Sequence, residues 1–351
     1  MTIFTFTFLS HSNLATLLIM RKLEVLRNDR EIHAIAFSPN NRLLATGDHG
    51  GHVRLWRIDT PSRLASLIAK AVSRTRSRGS RLLRELALAG GWVDSVAFSP
   101  DGKIIAAGCS CDGDPVTGLN QAFEIKLWAV DTGTELGTFR VNTGWSPRLA
   151  FSPAGGILAF TAGHVVYLFD VNSGTEVRRL ELKGSESISR NFYCLSFSPD
   201  GKMLATGTGD KQLILWDVKT GTSLRTLLGH DGAVDSVCIS PDARVVASAS
   251  RDKSVKVWDV RTGDLLRTLA GHGECVNAVV ISPGSDVIAS GSNDKLIRLW
   301  NARTGQMSET LSGHQQSWGV FALAYSPDGR LLASAADERF TKGLVNLWYL
   351  T

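Results

Sequence analysis

Apolar and polar residues alternate in short runs, and the runs fall into sets of four. The clearest set lies between Thr222 and Val260. Leu224-Arg225-Thr226-Leu227-Leu228 reads as a strand, Gly229-His230-Asp231-Gly232 as a loop, and Val234 to Ile239 as a second strand. Ser240-Pro241-Asp242 then turns the chain, because Ser and Pro suit the first two positions of a type I turn. Arg244 to Ser250 is a third strand. After the turn Arg251-Asp252-Lys253, Ser254 to Val260 is a fourth, with Val255 and Val257 alternating against Lys256. Period-two alternation over such short runs favours antiparallel strands with one face buried.

The set recurs. An aromatic residue closes the last strand at Trp56, Trp128, Phe169, Trp216, Trp258, Trp300 and Trp348, and a Ser-Pro pair precedes each, from Ser38-Pro39 to Ser326-Pro327. From Ser198 to Ser240 and from Ser240 to Ser282 the step is 42 residues. That period holds four short strands with their turns, which is one blade of a β-propeller. The expected fold is all-β: a seven-bladed propeller of four-stranded antiparallel blades.

Gly229-His230, Ser248, Asp252 and Trp258-Asp259 resemble the signature of the WD-repeat family of propellers, and Gly271-His272, Ser290, Asp294 and Trp300 repeat it. Gly313-His314, Ser334 and Trp348 give a third copy, with Asp337 or Glu338 as its acid. The resemblance covers residues 21–351 and speaks to fold far more than to function. It implies that Trp indole, Ser hydroxyl, His ring and turn Asp form a hydrogen-bonded chain inside each blade: His230, Ser248, Asp252 and Trp258; His272, Ser290, Asp294 and Trp300; His314, Ser334 and Trp348. Repeat four keeps Thr206, Asp210 and Trp216 without a His, and repeats one to three have lost most of the set. A Ser-His-Asp trio also suggests a hydrolase, but one active site needs one copy, and a trio repeated in several blades is a structural staple.

The chain stops just after the Trp348 strand, leaving the last blade one strand short. Arg21 to Arg27, with Leu23, Val25 and Leu26, match the missing strand, so the N-terminal segment is expected to complete that blade and remove an exposed edge. Residues 1–20 form an apolar leader, expected to be poorly ordered; an export signal or anchor there is the alternative, although the run lacks a basic start and is broken at His11-Ser12-Asn13. Residues 21–351 form the propeller.

Composition narrows the rest. The chain has 351 residues, 43% hydrophobic, enough for one large β domain. Five Cys are an odd number, which disfavours a disulfide scaffold and fits a reducing, cytoplasmic compartment. The net charge of +5 is too mild to imply nucleic acid by itself.

Departures from the repeat mark individuality. Residues 61–80 form a basic insertion in blade one, where Leu64, Leu67, Ile68, Ala71 and Val72 make one helical stripe and Arg63, Lys70 and Arg74 lie off it. A capping helix with a solvated basic side is favoured over a site for an acidic partner, and nucleic-acid binding through Arg63 to Arg84 would show as steep salt dependence. Cys109, Cys111, Asp112 and Asp114 lack the spacing of a zinc site, and His49-Gly-Gly-His52 reads as a polar turn. No cofactor or metal is expected.

In a propeller the innermost strands start at the top rim of the channel. Positions seven and five before each Ser-Pro serine are Glu31 and His33, Trp92 and Asp94, Trp145 and Pro147, Asn191 and Tyr193, Ala233 and Asp235, Cys275 and Asn277, Gly319 and Phe321. Aromatics with a few acids suit a peptide or protein side chain. The expected function is therefore a non-catalytic, monomeric interaction module that binds proteins or peptides on its top face, with neither nucleic acid nor membrane as partner. Two alternatives stand beside it. Trp258-Asp259-Val260-Arg261 resembles the box by which some WD-repeat proteins dock on the adaptor of cullin–RING ubiquitin ligases. An enzyme at the channel mouth would need Glu31, His33, Asp94 and Asp235 to converge.

Overall fold

The computed structural model describes residues 20–28, 30–58, 80–88, 91–110, 122–142, 147–182, 190–338 and 342–350. Residues 1–19 of the leader, Trp145, almost all of the basic insertion and the stretch from Cys111 to Gln121 lie outside them, whereas Met20 begins the first strand.

Among the described residues, short alternating runs separated by turns build 28 strands, arranged as seven four-stranded antiparallel sheets. Six sheets are formed by strands consecutive in sequence. The seventh takes its outer strand from the N-terminal side: Met20–Asn28 pairs antiparallel with Lys342–Leu350, Leu26 facing Val345 and Asn28 facing Gly343. The clasp is thus one residue longer at each end than Arg21 to Arg27. The innermost strands are Ile32–Phe37, Val93–Phe98, Leu149–Phe151, Phe192–Phe197, Val234–Ile239, Val276–Ile281 and Ser317–Tyr325, and each packs on the next around a ring that closes from the last back to the first.

Burial within a blade follows from position. Second strands such as Val245–Ser250 bury every residue after the first, whereas fourth strands such as Leu265–Ala270 are mostly exposed. A second strand is covered on both faces by neighbouring blades, so its residues stay small: Ala-Thr-Gly in Leu43–Asp48 and Met203–Thr208, Ala-Ser in Val245–Ser250. A Cβ on Gly207 would lie 2.6 Å from Val234 Cγ1 and 2.8 Å from the Val234 carbonyl oxygen, so the next blade is seated directly against bare backbone. The core is accordingly seven clusters, each shared by two adjacent blades; one joins Ala205 and Leu215 to Val234, Ile239, Val246 and Trp258.

The Ser-Pro turns are fastened by the serine itself. Ser198 Oγ donates to Asp200 at 2.6 Å and accepts Met203 N–H at 2.9 Å, while Gly201 N–H closes the turn on the Ser198 carbonyl at 2.8 Å. The residue ending the turn has a left-handed backbone: Gly201 at φ 70°, but Ala243 at φ 58° in the blade-five copy. A side chain there costs about 1 kcal/mol. Ala243→Gly is expected to raise the melting temperature, and an unchanged or lower value in calorimetry would contradict that strain.

Adjacent blades are also latched at the lower face, a feature the sequence reading did not contain. Arg84 Nη2 donates to the Asp131 carbonyl at 2.7 Å, Arg178 Nη1 to the Thr220 carbonyl at 3.0 Å, and Arg225 Nε to the Arg261 carbonyl at 3.1 Å. Each arginine lies across a glycine of the next blade's turn. A Cβ on Gly221 would meet Arg178 Cδ at 2.7 Å.

Candidate functional site at the channel mouth

Three late blades carry the hydrogen-bonded chain. In blade five, Trp258 Nε1 donates to Ser248 Oγ at 2.9 Å, His230 Nε2 lies 2.8 Å from the same oxygen, and His230 Nδ1 lies 2.6 Å from Asp252 Oδ2. Blade six repeats this with Trp300, Ser290, His272 and Asp294 at 2.8, 2.8 and 2.9 Å. Burial alone would raise the Asp294 pKa, but hydrogen bonds from His272, Gly273 N–H and Arg298 outweigh it and hold the carboxyl below the usual carboxylate range. Burial lowers the pKa of His230, so its ring favours the neutral form. These are satisfied, buried groups spanning the blade from turn to outer strand, which suits a staple rather than a reaction centre.

Blade seven differs. Trp348 Nε1 and His314 Nε2 both meet Ser334 Oγ at 2.8 Å, but Asn346 Nδ2 faces the His314 ring at 3.0 Å where an acid was expected. Asp337 points elsewhere: its carboxylate accepts Ile32 N–H at 3.2 Å and meets His33 Nε2 at 2.8 Å. Blades one and four keep the indole bond through threonine, Trp56 to Thr46 Oγ1 at 3.0 Å and Trp216 to Thr206 Oγ1 at 2.8 Å. In blade three Phe160 fills the hydroxyl position and its ring packs 5.3 Å from that of Phe169, since a closing Phe has no N–H to satisfy.

The rim is built by β-bulges. Six innermost strands shift register near their first residues, between Ile32 and Ala34, Val93 and Ser95, Phe192 and Cys194, Val234 and Ser236, Val276 and Ala278, and Val320 and Ala322. The extra residue of a bulge has no partner and is re-aimed. Here it is His33, Asp94, Tyr193, Asp235, Asn277 and Phe321, and all six line the channel, a cavity of about 240 Å³.

Blade three corrects the expected rim. Its strand has no such shift, and Pro147 packs on blade two, 2.7 Å from where a Gly108 Cβ would stand, the place that Val93 and Val234 take against Gly47 and Gly207. One residue fewer moves the channel position to Arg148, whose guanidinium donates to the Asp94 carbonyl. Asn191 is a second correction. It is only 5% exposed, so its side chain adds little surface to the rim.

Around the mouth, four rings form a continuous arc. Trp92 stacks on His49 at 4.6 Å, His49 lies 4.0 Å from His33, and His33 stacks on Phe321 at 4.7 Å. Trp92 is 55% exposed and Trp318, beside Phe321 on the same strand, is 61% exposed. Glu31 Oε2 lies 2.9 Å from His49 Nδ1, and Asp94 Oδ1 lies 3.8 Å from His33 Nδ1. Burial, then the neighbouring His33, lower the His49 pKa. On the far side Arg251 grips both Asp235 oxygens, at 2.9 and 3.1 Å, and sits over the Tyr193 ring at 5.4 Å. Arg251, with Lys253 and Lys295, was expected to add charge from the neighbouring turns, whereas His49 had read only as part of a polar turn; both His49 and Arg251 belong to turns after second strands, which return to the upper face. Cys194 and Cys238 line the channel wall, but burial raises both thiols, Cys238 to about 11. Protonated thiols are poor nucleophiles.

Comparison with known proteins agrees with this architecture. The family model described as WD domain, G-beta repeat matches residues 21–57, 81–114, 177–217, 221–259, 263–301 and 305–348. The chain belongs to the WD-repeat family, whose propeller is generally a non-catalytic fold that serves protein interaction. Blade three, where the staple is replaced by phenylalanines, falls largely between the matched segments. Among similar proteins are the WD repeat-containing protein AAC3 of Dictyostelium discoideum, 25% identical over 60% of this chain and 38% of its own length, and the nuclear distribution protein PAC1 of Arthroderma otae, 32% identical over 40% of this chain and 33% of its own. Pre-mRNA-processing factor 19 of Bos taurus is 25% identical over 41% of this chain and 26% of its own. Each match spans well under half of the relative. Among the described residues no helix is long and apolar enough to cross a membrane.

Proposed function

We propose that this chain is a non-catalytic recognition module that binds a partner protein or peptide across the upper channel mouth. The observation that carries the reading is the indole of Trp92, 55% exposed at the end of the ring arc. An exposed Trp set among fixed rings and ion pairs is the usual composition of an interface hot spot. The enzyme reading is weaker: Glu31 meets His49 rather than His33 or Asp94, and Asp235 is neutralised by Arg251. The thiols of Cys194, Cys238 and Cys275, free among the described residues, support a cytoplasmic setting.

Arg261 supports a second reading. It lines a lower-face groove of about 630 Å³ between blades four and five, with Met203, Leu224 and Arg244. A ligase adaptor docking there would be released by Arg261→Ala.

Affinity purification separates the two. Trp92→Ala/Tyr193→Ala is expected to lower partner recovery at least about tenfold, since hot-spot residues carry about 2 kcal/mol or more each. Undiminished recovery would refute the rim, and loss with Arg261→Ala alone would favour the lower face.

A further inference from the structure

The geometry points to a divalent transition-metal site of the zinc class in the upper rim of blade one, held by Glu31, His33 and His49. One ligand atom from each of the three lies within 4.8 Å of the other two. The backbone brings the three residues together: His49 N–H donates to the Glu31 carbonyl at 2.9 Å, and the bulge re-aims His33 between Ile32 and Ala34. Two imidazoles and one carboxylate form a mixed nitrogen and oxygen set suited to such an ion. Tetrahedral zinc at ordinary bond lengths wants ligand atoms about 3.4 Å apart, so Glu31 Oε2 and His49 Nδ1, 2.9 Å apart, would part slightly to admit the ion.

Two further features point the same way. His49 Nε2 is buried and has no hydrogen-bond partner among the described residues. His33 Nε2 meets Asp337, a carboxylate only 4% exposed, at 2.8 Å. A ligating histidine commonly gives its other ring nitrogen to a carboxylate, which fixes the tautomer and orients the ring. Asp337 reaches His33 across the seam between blades seven and one. Three protein ligands leave one tetrahedral position for water or a further donor, and Asp94 Oδ1 stands 3.8 Å from His33 Nδ1.

The site goes beyond the recognition reading and is measured on the isolated chain. Tag-free, metal-stripped protein is titrated with zinc, with bound metal counted by mass spectrometry after dialysis, and with cobalt(II) followed by visible absorption. One equivalent is expected, with cobalt bands of a four- or five-coordinate nitrogen and oxygen site. His49→Ala should abolish the bands. Asp337→Asn should weaken zinc binding by about 10–100-fold, the usual effect of losing an outer partner. If His49→Ala fails to fold by circular dichroism, Glu31→Gln, at a side chain 35% exposed, gives the same reading. Absence of stoichiometric binding to the wild type, or binding that survives His49→Ala and Glu31→Gln, would overturn the site.

Discussion

A chain beginning at residue 29 is expected to lose its cooperative unfolding transition and to associate, whereas a chain beginning at Met20 keeps both the transition and the monomer. The strand Met20–Asn28 covers the outer edge of Lys342–Leu350 over eight paired positions. Leu26, 4% exposed, belongs to the cluster that joins blade seven to blade one through Ile32, Ile35, Val345 and Leu347. Burial of one leucine contributes about 2 kcal/mol, and each ladder hydrogen bond about 1 kcal/mol net. Together they exceed about 5 kcal/mol, the lower end of whole-domain stability. The exposed edge that remains is a template for association. Calorimetry and light scattering on the two chains decide it. A monomeric short form melting within a few degrees of the longer one would mean that the ring does not depend on its clasp.

Trp258→Ala is expected to destabilise by about 3–5 kcal/mol, the range for deleting a large buried aromatic. Trp258 is 2% exposed and wedged between blades four and five. Its loss empties that cluster and removes the donor that fixes Ser248 Oγ. Trp258→Phe keeps most of the volume and loses the hydrogen bond, so it should cost about 1 kcal/mol. Denaturant titration separates the two. Equal costs would mean that the indole acts through its N–H alone and that packing contributes little.

The two halves of the molecule differed in how plainly the sequence displayed them. Strand number, blade number and the clasp were legible because period-two alternation, the Ser-Pro turns and the closing aromatic recur in every repeat. The staples of blades five and six were legible because each uses residues at fixed spacing. The rim was only partly so. Counting back from Ser-Pro finds His33, Asp94, Tyr193, Asp235, Asn277 and Phe321 because six strands share one bulge. It misplaces Pro147 because blade three lacks that bulge, and an omitted residue leaves no mark in an alternating pattern. It overvalues Asn191, whose burial depends on how the neighbouring turn folds over it. His49 read as part of a polar turn and Asp337 as a candidate staple acid, because the groups they meet lie on other strands or blades: Asp337 is 304 residues from His33 in sequence yet 2.8 Å away across the seam. Ring closure brings Asp337 to His33, a property of topology that no local spacing encodes.

The most direct test of the recognition surface is hydrogen–deuterium exchange on the chain alone and with a captured partner. Protection should appear at the starts of the innermost strands, around residues 91–96, 192–196 and 317–323, together with the turns at 49–51 and 251–253. Protection confined to the lower turns around Thr220, Arg261 and Gly305, with the Trp92 rim unchanged, would contradict the account.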